Sequence, residues 1–507
     1  MIRKISCWML FFLLITQPLW AVTYTIGPGQ TYETFTALVA TETLAPGDIV
    51  DGGGNTFSET WTPDGSGTSG NVITLRNATI DGGTTDAAWT GPDVNGEWVS
   101  NTSNYEFIFY LTKNGVPVKI GTIGSLSADE FGYVWGTGGR SIYLGFDPTG
   151  HTIKFGTGGH GVYINDKDYV NVDNITVQYA DWYGSGVQVH DSANNTISNC
   201  DFIGTRYAVN FVGATINGIA EYNTGSYCAD GLDTNIDVAD IPSNITYRYN
   251  HMERINYADF FGTGFDGEAY AATKPGNNIT ITENTGEYVG HFVVLFSGAT
   301  TTTGHVVSRN KGDYISGQGI YTGGIALGDI TVTVNNNVLN ELGSTALSND
   351  GDTATVRTSY LNNTISNFNK GVRGYQASYI TMKNNIFHTP TGAFEFVDFF
   401  AVDNANQLTL ANNVYYTTGT KWWKWVATAA KATYAEYLTA GATETGAILT
   451  DPLFMSTTDF SLQSTSPAID AGADVGLTTD FSGTWIPRGA GYDIGAYEYH
   501  FGTITLY

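Results

Sequence analysis

VDNITV at residues 172–177, ISNCDF at 197–202, EYNTGS at 221–226, RYNHME at 248–253 and TENTGE at 282–287 repeat one phrase. SRNKGD (308–313), NNNVLN (335–340), LNNTIS (361–366), KNNIFH (383–388) and ANNVYY (411–416) continue it. Each sets an asparagine after a short alternating apolar run, at Asn174, Asn199, Asn223, Asn250, Asn284, Asn310, Asn337, Asn363, Asn385 and Asn413. The spacings are 25, 24, 27, 34, 26, 27, 26, 22 and 28 residues. A period near 26 marks a solenoid, in which each repeat buries its apolar face on its neighbours. A buried asparagine can recur at such a turn because its amide bonds the equivalent amide one coil away.

After each asparagine come a turn and a further short strand: GVQVH (186–190), YAVNF (207–211), DGLDT (230–234), DGEAY (266–270), FVVLF (292–296), GIYTG (319–323), TALSN (345–349), GVRGY (371–375) and AFEFV (393–397). Coil-on-coil stacking of such strands makes parallel sheets. The expected fold is therefore an all-β parallel β-helix of about ten or more coils.

Around this rod the chain divides into five stretches. Residues 1–21 read as an export signal: Arg3 and Lys4 precede an apolar run from Cys7 to Ile15 that is too short to span a membrane. The expected location is secreted or periplasmic. Residues 22–85 hold the first coils and a short capping helix near Phe35–Ala40, and 86–156 carry strand-like runs without the asparagine, an inserted antiparallel β-structure. The coils fill 157–416. An aromatic and helical segment and closing coils fill 417–507.

The whole sequence has 22 Lys+Arg against 48 Asp+Glu, a formal net charge of −26. Loss of Arg3 and Lys4 with the signal would leave 20 against 48, or −28. Such a charge argues against nucleic acid and anionic membrane as partners. It also makes a polyanionic substrate awkward unless calcium or a local Arg/Lys cluster intervenes. Cys200 and Cys228 sit at different places in adjacent coils, so their spacing implies no disulfide, and no zinc pattern exists.

The coils resemble the right-handed parallel β-helix superfamily of exported carbohydrate-active proteins, which includes pectate-lyase-like and chondroitinase-like lyases and several glycosidases. The opening YTIGPGQTY…LAPGDIV resembles the first coil of the lyase-like members. The ending DPLF…FSLQSTSPAIDAGAD…DIGAYEY is similar to a C-terminal segment common in bacterial members. The resemblance implies a polysaccharide or oligosaccharide partner and leaves the reaction open, since one fold hosts several chemistries.

Side chains alternate across a strand. The outward column of the second strand is expected to hold Gln188, His190, Asn210, Asp233, Glu268, Val294, Tyr321, Ser348, Arg373 and Glu395, with Asp266 and Tyr270 outward beside Glu268. Asp230, Asp233, Asp266 and Glu268 fall in neighbouring coils, next to the longest gap, Asn250 to Asn284. Adjacent strands lie roughly 4.8 Å apart, so Asp233 and Glu268 would approach the ~5–5.5 Å separation of a retaining glycosidase pair. Solvated surface carboxylates, or a calcium site on Asp230, Asp233 and Asp266, are the competing readings.

A lyase would instead need a base and a cation to neutralise a uronate carboxylate. His190 with Asp191, Arg206, Lys370 and Arg373 are the candidates. Trp182, Tyr183, Tyr207, Tyr257, Phe260 and Phe261 could stack on sugars or simply pack. Gly159-His160-Gly161 lacks the paired aspartates and Arg-x-Lys of polygalacturonases. A non-catalytic glycan-binding rod is the third class.

Overall fold

The computed structural model describes residues 21–500 except 86–87, 101–107, 109, 135–140, 181–183, 236–240, 257–266, 274–275, 297–299, 325–327, 390–392 and 403–404. The signal segment therefore lies outside the described residues.

The rod is a parallel β-helix of about 13 turns, with three strand positions in each coil. The first sheet runs through Val162–Asn165, Ser185–His190, Tyr207–Val212, Asp230–Asn235, Glu268–Thr273, His291–Phe296 and Ile320–Gly323 to Thr420–Lys424. All its pairings are parallel. The second sheet includes Thr196–Ser198, Ile219–Glu221 and Thr246–Arg248, and the third includes Asp201–Ile203, Thr224–Ser226 and His251–Glu253. Val, Ile, Leu, Phe and Tyr side chains from all three face one continuous core.

The asparagine turn joins the second sheet to the third. From Asn223 to Asn413, eight asparagines form an unbroken ladder. The backbone N–H of each donates 3.0 Å to the Oδ1 of the next, and its Nδ2 donates to the same oxygen at 2.9–3.1 Å. A second Nδ2 hydrogen reaches a carbonyl of the preceding coil, as from Asn310 to Ile281 at 2.8 Å. Every amide hydrogen is thus used, which is the condition for burying the group.

Asn174 and Asn199 do not belong to this ladder. They occupy the residue before it, which has positive φ (51° and 54°), the place Tyr222 and Tyr249 hold later. Ile175 and Cys200 stand in the ladder position there, and Cys200 N–H opens the ladder by donating to Asn223 Oδ1 at 3.0 Å. Asparagine suits both places, because it tolerates the left-handed turn and can also bond along the stack. Cys200 and Cys228 are both buried free thiols.

The ladder ends on Glu444. Its Oε1 accepts from Asn413 Nδ2 at 2.7 Å, and Tyr434 donates to Oε2 at 3.1 Å. Burial raises the Glu444 carboxyl to about 7.

Helix Phe35–Val39, capped by Thr34 accepting from Ala37 N–H, lies at the N-terminal end. Two four-stranded, mainly antiparallel sheets between residues 83 and 156 form the insertion around their own apolar core. Tyr110 anchors the insertion between Tyr179 and Tyr227, at ring distances of 5.3 and 5.8 Å. Gly204 makes room for it: at φ +61°, a Cβ there would lie 1.9 Å from the Tyr110 ring. At the other end Trp423 and Trp425 are buried with Phe396, Phe399 and Tyr437, covered by helix Tyr434–Thr439. The closing segment then runs back along the asparagine turns, whose Asn336, Asn384 and Asn412 side chains donate to its carbonyls at Thr479, Ala473 and Ala471. Among the described residues no helix is long and apolar enough to cross a membrane.

Replacing Asn310 with Ala leaves two donors of Asn284 unpaired in a buried site, at about 1–3 kcal/mol for each stranded group. The variant is expected to lose roughly 3 kcal/mol or more, whereas Asn174→Ala, at an exposed turn, should lose about 1 kcal/mol or less. Thermal unfolding and amide exchange of the flanking coils compare the two.

Candidate functional site

Each first-sheet strand bends after its first residue. Two successive residues then face the core, as Ala208 and Val209, Ala269 and Tyr270, or Phe292 and Val293 do. The second position is usually Gly or Ala because the next coil passes close by; a Cβ on Gly231 would meet Ala269 O at 2.1 Å. The bend breaks simple alternation, so outward side chains fall at strand positions one, four and six.

The register that follows is specific. Gln188, Asn210 and Asp233 form one outward row. Leu232 pairs with Tyr270, which carries that row on to Ala271, Val294, Tyr321, Ser348 and Arg373. Most of the expected column is therefore one row, but Glu268 and Glu395 are not in it. They lie in the row of Tyr207, Asp230, His291 and Lys370, because Glu268 pairs with His291 and lies opposite Asp230. His190 belongs to a third row with Val212 and Asn235. The expected column sets Glu268 against Asp233, three residues too far along the strand; the structure sets it opposite Asp230.

Tyr270 is also corrected. It points into the core, fully buried, and its hydroxyl donates to Asn250 O at 3.0 Å and Thr285 O at 2.7 Å. It cannot touch a substrate. Asp266, Trp182, Tyr183, Tyr257, Phe260 and Phe261 lie outside the described residues.

Asp230 and Glu268, both half-buried, are joined directly. The Glu268 carboxyl hydrogen-bonds Asp230, and Glu268 N–H lies 3.4 Å from Asp230 Oδ1. Burial pushes Asp230 up to about 6, with the Arg206 guanidinium opposing the shift. Asp233 is 4% exposed and rises to about 8, mainly through burial and then through the charge of Asp230. Its Oδ2 accepts from Asn235 Nδ2 at 3.2 Å, and hydrogen bonds from Thr273 and from the Thr234 backbone to the carboxyl partly offset the rise. Arg206 also stacks on Tyr207, 4.8 Å from the ring centroid. His190 pairs with its neighbour Asp191 at 3.1 Å, three strands from Glu268.

From Glu268 a groove of about 460 Å³ runs along the first sheet, lined by His291, Val294, Phe296, Gln318, Tyr321, Asp350 and Arg373. Tyr321 and Arg373 are thus placed where a ligand would lie, together with His291, Gln318 and Asp350, which sequence reasoning had not singled out. Gln318 N–H donates to His291 Nδ1 at 3.0 Å, so neutral His291 carries its proton on Nε2. Among the described residues, buried Oδ1 of Asn210, Oε1 of Gln318 and Oδ1 of Asp350 have no hydrogen-bond partner. These three acceptors follow the same sheet.

Among the described residues no three His, Cys, Asp or Glu side chains gather as a metal ion would need. Asp266, the third member of the expected calcium set, lies outside those residues.

Asp233 in the folded chain holds its proton to a much higher pH than the ~3.9 of an unfolded aspartate. Its contribution to stability is full below pH 4 and is lost as pH rises through about 8. Asp233→Asn should therefore be more stable than the parent at pH 9, by about 2 kcal/mol or more, and should lose that advantage at pH 4. Denaturant titrations at the two pH values measure the difference.

No family model matches the chain, and no curated protein matches it. Solved structures do. XylC in complex with xylose matches at 12% identity with a TM-score of 0.61, over 94% of this chain and 98% of that one. A protein described as a glycoside hydrolase matches at 11% identity and 0.50, over 68% and 89%. Pectate lyase Pel9A matches at 14% identity and 0.45, over 95% and 96%. At these identities the likeness is one of fold, and the chain is a parallel β-helix from its first coil to its last.

Proposed function

We propose that the protein is an exported carbohydrate-active enzyme that hydrolyses a glycosidic bond at Asp230, Asp233 and Glu268, with the glycan lying in the first-sheet groove. The observation that carries this reading is that Glu268, hydrogen-bonded to Asp230, lines a groove together with the polar side chains of His291, Gln318, Tyr321 and Asp350. Such groups are the partners that sugar hydroxyls need. The fold shared with xylose-bound XylC and with a glycoside hydrolase supports the same class.

The chemistry divides by protonation. Asp233, at about 8, is neutral at pH 7 and protonates the leaving glycosidic oxygen. The Asp230–Glu268 pair, with Asp230 at about 6, takes the proton of the attacking water. Asp230 and Asp233 are three residues apart on one strand, near enough for the charge of Asp230 to raise Asp233. A carboxyl separation of ~5–5.5 Å makes such a pair retaining, and one of ~6.5–9.5 Å makes it inverting.

A glycan panel read by reducing ends and by ultraviolet absorbance tests the reading. Hydrolysis predicts new reducing ends without an absorbance rise, activity that survives EDTA, and a pH profile centred between about 6 and 8. Asp233→Asn should lower kcat about 10²–10⁴-fold with little change in KM. An absorbance rise abolished by EDTA would establish a calcium-dependent lyase, with Asp230, Asp233 and Asp266 as candidate ligands. Binding without any cleavage would leave a glycan-binding rod.

A further inference from the structure

Arg373 stands apart from the other cations of the first sheet. The carboxylate directly opposite it in the next coil, Asp398, is already held by Lys370 at 3.3 Å and Lys424 at 3.7 Å. Glu395 closes the same four-charge cluster, 3.1 Å from Lys370 and 2.6 Å from Lys424. On the preceding coil Arg373 faces the uncharged Ser348. Asp350, two residues further along that strand, accepts from the Tyr321 hydroxyl at 3.3 Å. Among the described residues Arg373 has no carboxylate within ion-pair distance; its guanidinium lies 5.5 Å from the Tyr375 ring centroid.

The side chain is half-buried and lines the groove that begins at Glu268. A partly desolvated guanidinium without a counter-ion is costly, and the chain is otherwise rich in carboxylates that could have paired with it. Its planar fork of donors matches a two-oxygen anion, either a carboxylate or a sulfate ester. A free phosphate-like ion is a poorer occupant, since the groove is elongated and lined by the acceptors of Gln318 and Asp350, which ask for hydroxyl donors beside the anion.

We propose that Arg373 reads an anionic substituent, a carboxylate or a sulfate ester, on a sugar of the bound glycan remote from the bond that is cleaved. The strand of Arg373 is four steps from that of Glu268, about 19 Å at roughly 4.8 Å per step. A pyranose unit advances a glycan by close to one such step, so the substituted sugar lies about four units from the carboxyl groups. The neighbourhood reconciles a strongly acidic protein with a sparsely charged substrate: among the described residues Arg373 has no ion-pair partner, while Lys370 and Lys424 are neutralised by Glu395 and Asp398. This inference rests on the groove being the glycan site, and binding rather than turnover is the measurement that separates the two.

The experiment uses the full-length chain carrying Asp233→Asn to suppress turnover, with calorimetric titration of matched oligosaccharides. Glucuronate-branched xylo-oligosaccharides and oligogalacturonates are each compared with their carboxyl-reduced forms, and sulfated galacto-oligosaccharides with their desulfated forms. At least one anionic oligosaccharide should bind tenfold or more tightly than its neutral partner. Adding Arg373→Met should erase that ratio, and Arg373→Lys should keep part of it. The class that shows the ratio identifies carboxylate or sulfate. Equal binding of anionic and neutral partners, or a ratio that survives Arg373→Met, overturns the assignment and leaves the glycan groove standing. No binding by any of them overturns the groove reading as well.

Discussion

The amide hydrogen bond between stacked asparagines is the constraint on which the rod depends. A coil turn must bury polar backbone groups, and an unpaired one costs more than most apolar contacts return. From Asn223 to Asn413 each side chain supplies one acceptor for two donors above and two donors for acceptors beside it, so nothing is stranded. That closure fixes the rotational phase of every coil, and with it the rows of side chains on the first sheet. Glu444 completes it by offering a carboxylate oxygen where a ninth asparagine would stand.

Because the ladder sets the phase, the two longest excursions of the chain are accommodated outside it. The gap of 34 residues between Asn250 and Asn284 is absorbed between strands, and the ladder bond across it is as short as the others. The insertion near the N-terminus is held likewise from outside, by Tyr110 seated over Gly204. Strands of such a stack fix side chains more closely than loops do.

The carboxyl groups of Asp230 and Asp233 illustrate how burial shifts the acidity of ordinary residues. Neither is unusual in sequence, in a chain holding 48 Asp and Glu. Taking Asp233 almost wholly out of water and setting Asp230 on the same strand separates their proton affinities by about two pH units. Lys370, Lys424, Glu395 and Asp398 show the opposite arrangement, each set against a partner of opposite charge.

The period of about 26 residues determined the fold by itself, because only a stacked coil gives a polar residue a reason to recur at that spacing. The strand that carries the site was legible too, and the row from Gln188 to Arg373 is largely the one that alternation predicts. Alternation failed at the bend after the first residue of each strand. There a one-residue change of face sent Tyr270 into the core and moved Glu268 from Asp233 to Asp230. Similarly, Asn174 and Asn199 look like ladder residues but serve the left-handed turn before it. Local pattern cannot distinguish these cases, since the same residues suit both places. Only contacts between coils, which join residues some 25 positions apart, decide which side chains meet.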